Sequence, residues 1–74
     1  MKTDWEQKAK GILKGELKRR NLGYKELTEK LAVIGIEDNE RNIANKVSRG
    51  SFTAVFLLQC LEAIGCSNVR LDDA

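Results

Sequence analysis

The sequence predicts an all-α fold, a compact bundle of four to five helices containing a helix-turn-helix. Two observations carry that expectation. Apolar residues recur at helical spacing in four successive segments, the pattern of amphipathic helices that share one core. None of the 74 residues is proline, and four of the six glycines (Gly23, Gly35, Gly50 and Gly65) stand where the periodic segments stop. The expected helices run over about 4–21, 24–34, 39–49 and 53–65, with a short tail at 66–74. At this length the chain forms one domain.

The first helix opens on Thr3-Asp4-Trp5-Glu6, a capping-box pattern in which Thr3 caps and Glu6 reaches back. Trp5, Ala9, Ile12, Leu13 and Leu17 then form one apolar stripe, with Trp5 expected as a core or dimer anchor. Lys10, Lys14 and Lys18 lie one turn apart on the other face, either as a solvated stripe or as contacts to phosphate. Arg20 follows Glu16 by one turn, the spacing of an intrahelical ion pair. Asn21-Leu22-Gly23 ends the helix, with Leu22 folding back onto the core.

The second helix starts at Tyr24, turns Leu27 and Leu31 inward and is terminated by Gly35, after which Ile36 is expected as a hydrophobic staple. Glu37-Asp38-Asn39-Glu40 opens the third helix, where acids complement the helix dipole, although an acidic patch for a protein partner is the alternative. Thr53 or Ser51 caps the fourth helix, whose inward residues are Phe56, Leu57, Cys60, Leu61 and Ile64. Val69 and Leu71 then alternate with polar residues, as in a short tail packed on the core or on a partner.

Composition narrows the class. Hydrophobic residues at 42% and charged residues at 32% suit a folded domain rather than a disordered one. A net charge of +2 does not by itself identify a polyanion binder. Its distribution says more: Met1–Leu22 carries seven basic and three acidic side chains, whereas Ser51–Ala74 carries one basic and three acidic. One end is therefore positive. The start has no apolar signal-peptide core and no apolar run nears the ~20 residues of a membrane span, so a cytoplasmic protein without membrane contact is expected. There Cys60 and Cys66 read as reduced thiols, and two thiols without a histidine make a poor metal site. Both read best as core filling. There is no histidine, no phosphate-cradling glycine loop and no pair of carboxylates on a plausible cleft, so neither an enzyme nor a cofactor is expected.

The third helix carries the functional signal. On a wheel at 100° per residue, Ile43, Ala44 and Val47 cluster on one side. Arg41, Asn42, Asn45 and Arg49 fall on the other, with Lys46 at the flank. Arg and Lys read guanine edges in the major groove, and Asn pairs bidentately with adenine. A plain solvated face is the competing reading of the same residues.

Neighbouring segments favour nucleic acid. Leu22-Gly23-Tyr24-Lys25-Glu26-Leu27-Thr28-Glu29-Lys30-Leu31 resembles the second helix of the Cro/C1 repressor type of helix-turn-helix. Val47-Ser48-Arg49-Gly50 resembles the end of its recognition helix, and Leu57–Ser67 its following helix and exit turn. The resemblance implies a lambda-repressor-like fold, with Tyr24 and Lys25 at backbone phosphate and Arg41, Asn42, Asn45 and Lys46 at bases. Arg49 joins the phosphate set. The link between Leu31 and Ala44 is longer than in that pattern, and Leu17 and Ser48 stand where the type has an Arg–Glu pair. The whole chain also resembles a family of short bacterial proteins known as a domain of unknown function, through Glu40–Gly50.

The function expected from these features is sequence-specific binding of double-stranded DNA by a homodimer acting in transcription. The alternative is a protein-interaction module that keeps the fold without contacting DNA.

Overall fold

In the computed structural model, which describes residues 4–71, the chain folds into α1 (Asp4–Arg19), α2 (Tyr24–Val33), α3 (Glu40–Arg49) and α4 (Ala54–Ala63). No strand is present among these residues. α2 packs on α3 and α4, and α1 lies against both of the latter. Leu13, Leu27, Leu31, Ile43, Val47 and Cys60 are fully buried where the four helices meet. The radius of gyration, 11.4 Å, is close to the ~11 Å expected for one compact domain of this length. No helix among the described residues is long and apolar enough to cross a membrane.

Three of the helices end in the same way. At the end of α1, Asn21 takes a left-handed conformation (φ 57°), its N–H bonds to the Lys18 carbonyl, and Leu22 N–H bonds to the Leu17 carbonyl. Gly35 and Ile36 repeat these bonds onto Ala32 and Leu31, and Gly65 and Cys66 repeat them onto Glu62 and Leu61. This is the Schellman termination, in which the residue after the left-handed one turns back towards the helix. Leu22, Ile36 and Cys66 therefore all pack into or against the core. Ile36 acts as this returning residue rather than as the expected staple of α3, whose cap, Asn39, lies three positions on. Cys66 is core filling as expected, and its Sγ also donates to the Asn68 carbonyl at 3.2 Å.

The helix starts are equally local. Gly23 N–H donates to Glu26 Oε1 at 2.8 Å, Asn39 Oδ1 accepts from Asn42 N–H at 2.8 Å, and Thr53 Oγ1 accepts from Phe56 N–H at 3.0 Å. Thr53, not Ser51, is thus the cap of α4. Thr3, the expected cap of α1, lies outside the described residues.

The structure narrows two expectations at the chain's ends. Trp5 is 79% exposed and anchors no core. The first turn of α1 meets the rest of the protein through its backbone, where Gly50 abuts Glu6, so the buried stripe begins only at Ile12. In the tail, Val69 packs on the core while Leu71 stays largely exposed.

Glu16 is the one charged residue in the interior among the described residues. Its Oε1 accepts from Arg20 Nη1 at 2.6 Å, the ion pair the spacing predicts, and its Oε2 pairs with Arg19. The Arg20 hydrogen bond, with help from Arg19, holds the Glu16 carboxyl below the usual range despite the opposing effect of burial.

Candidate nucleic-acid interface

α3 is fixed by its inner side. Ile43 and Val47 are fully buried, and Ala44 is half-buried beside them. The outer side carries the residues singled out from the sequence: Arg41, Asn42, Asn45 and Arg49 are exposed, and Lys46 is half-buried. A spacing of four residues advances only about 40° around a helix, so this face divides into two adjacent rows. One contains Asn42 and Lys46 and is continued backwards by Asp38. The other contains Arg41, Asn45 and Arg49.

The first row is internally bonded. Asp38 Oδ1 accepts from Asn39 N–H at 2.8 Å and from Asn42 Nδ2 at 3.1 Å, and Asp38 Oδ2 pairs with Lys46 Nζ at 2.9 Å. Lys46 Nζ also lies 5.2 Å from the centroid of the Phe56 ring, a cation–π distance that ties it to α4. The Lys46 hydrogen bond, followed by those from Asn39 and Asn42, holds the Asp38 carboxyl below its ordinary value.

The second row is open. Arg41 and Asn45 make no side-chain hydrogen bond among the described residues, and Arg49 Nε reaches only the Asn45 carbonyl at a long 3.4 Å. Beyond it, Lys46, Arg49, Ser51, Thr53 and Phe56 border a shallow hollow of about 270 Å³ between the end of α3 and the start of α4.

The expected phosphate contacts divide between two places. Arg49 stays on α3. Tyr24 and Lys25 begin α2, where Lys25 is exposed while the Tyr24 ring packs against the core. Tyr24 also lines a groove of about 570 Å³ with Lys14, Leu17, Lys18, Asn21 and Leu22. Lys14 and Lys18 are exposed at this groove, so part of the α1 lysine row and the start of α2 share one surface. Sequence reasoning missed Asp38 as the partner of Asn42 and Lys46. The repeat of polar residues at 38, 42 and 46 was the available signal.

No curated protein and no solved structure matches the chain. A family model described as a domain of unknown function (DUF6471) matches residues 5–69. The chain therefore belongs to this family of all-but-complete coverage, the domain of unknown function DUF6471.

Proposed function

We propose that this protein binds double-stranded DNA sequence-specifically, with α2 and α3 as a lambda-repressor-like helix-turn-helix, and that it acts in the cytoplasm as a homodimeric transcriptional regulator. The observation that carries this reading is the exposed row Arg41, Asn45 and Arg49 on a helix whose opposite side is locked in the core. An amide between two guanidinium groups is suited to adenine and guanine edges, and a rigid helix holds them at fixed spacing. The exposed Lys25, next to Tyr24, and the Lys14 and Lys18 that line the groove with Tyr24 supply cations for the flanking phosphates. The chemistry needs no metal or cofactor, and no catalytic step is assigned.

A second reading, a protein-interaction module of the same fold, is favoured by Asp38 and by the exposed Glu37 and Glu40 at the start of α3. Acids there repel phosphate and suit a basic protein surface.

Selection of bound sequences from random duplex DNA, with non-specific competitor present, tests the proposal. The expected result is an enriched motif whose binding weakens steeply with salt, because phosphate contacts release counterions. Absence of binding to any duplex at low salt eliminates the DNA reading and leaves the interaction module.

A further inference from the structure

Asp38 bonds two of the four side chains expected to read bases. Its carboxylate takes the Asn42 amide on one oxygen and the Lys46 ammonium on the other, while the Phe56 ring holds the same ammonium from α4. The contact spans eight residues and links the loop before α3 to the second turn of that helix and then to α4.

These contacts compete with DNA in two ways. A lysine already neutralised by a carboxylate releases no further counterion at a phosphate unless that ion pair opens. The Asn42 amide keeps a second N–H and its oxygen, but the bond to Asp38 fixes the orientation of the side chain, so it meets an adenine edge bidentately only at that angle or after the bond opens. The row of Arg41, Asn45 and Arg49 has no such restraint.

We propose that Asp38 is a positioning residue that sets sequence preference by withholding Asn42 and Lys46 from DNA, leaving Arg41, Asn45 and Arg49 to read it. The inference rests on the DNA-binding reading above. It gives the acid at the start of the reading helix a purpose: Asp38 suppresses indiscriminate attachment to the backbone, so that binding depends on base contacts from the neighbouring row.

The test is a double-mutant cycle on the full chain, using Asp38→Asn and Lys46→Ala singly and together. Asparagine keeps an oxygen for the Asn39 N–H, and thermal melting checks that each variant is folded. Binding is measured over a range of salt, on random duplex and on the motif selected by the wild type. Asp38→Asn alone is expected to steepen the plot of log affinity against log salt by about one unit, the signature of one added phosphate contact. It should also raise affinity for random duplex about tenfold and narrow the preference for the motif. In the Lys46→Ala background, the same substitution should leave the slope unchanged. An equal change in both backgrounds would mean that Asp38 acts through its charge alone and would overturn the inference. So would an unaltered slope and preference in the single variant. Failure of the wild type to bind any duplex is a different result, which removes the DNA reading and this role with it.

Discussion

A Cβ placed on Gly50 would come within 2.5 Å of the Glu6 carbonyl oxygen. Gly50 caps α3 at φ 74°, so the residue that ends the candidate reading helix also receives the backbone of α1. Helix termination and helix docking meet at one atom that must be hydrogen.

Gly50→Ala is therefore expected to cost at least about 2 kcal/mol, from left-handed strain plus displacement of backbone, with a fall of roughly 10 °C or more in Tm. Gly35→Ala is the control: its φ is 88° but nothing lies within 4 Å of the added methyl, so strain acts alone and the loss is smaller. Calorimetry on both variants decides. Equal losses would show that the contact with Glu6 adds nothing.

Glu16 gives acid sensitivity a definite sign. Its native carboxyl titrates below its ordinary value of 4.5, chiefly because of Arg20. Its contribution to stability is then complete above that ordinary value and is lost as pH falls through the lowered native one. Glu16→Gln should lower Tm at neutral pH, and the gap from wild type should close as the solution is acidified into that window. Thermal melts at a series of pH values provide the check; a gap independent of pH would contradict it.

Holding, reading and folding separate on and around α3. Asn45→Ala should leave the melt nearly unchanged while removing about 1–3 kcal/mol of discrimination at one base pair. Lys25→Ala should weaken binding to all sequences and flatten the salt slope by about one unit. Ile43→Ala, on the fully buried side, should cost about 2–5 kcal/mol of stability. If folded Asn45→Ala protein kept both affinity and preference, this row would not be the reading surface.

The outer side of α4 is the candidate self-association face. Val55 and Leu58 are one turn apart and about two-thirds exposed, at 63% and 66%. Light scattering should find a wild-type dimer that becomes a folded monomer when both residues are changed to glutamate. A wild type that stays monomeric, free and on DNA, would contradict the dimer.

The sequence is most legible where structure is local. Thr53, Asn39 and the left-handed Gly35 act on backbone groups within a few residues, so their types foretell the helix ends. Leu27, Leu31, Ile43 and Val47 follow because helical periodicity alone turns them inward. Trp5 shows the limit of that rule: periodicity marks a stripe, but burial needs a neighbour facing it, and at the first turn of α1 that neighbour is the backbone of Gly50. The candidate face was legible as a set of side chains but not as two rows. The polar repeat at 38, 42 and 46 hints at the first row, but Asp38 precedes α3, and whether it reaches Lys46 depends on how the loop enters the helix.

The row from Arg41 to Arg49 spans eight residues, about 12 Å at helical rise, which matches only about three to four base-pair steps. In the proposed DNA-binding role, three side chains on that length would specify a word of about three letters, and such a word recurs by chance roughly every 64 base pairs, far too often to mark a unique address in a genome. The domain's information capacity is thus bounded by the length of α3 rather than by the quality of its contacts. Under that proposal, selectivity would have to come from concatenation: a second copy, held at fixed phase, would multiply the two short words into one rarer one.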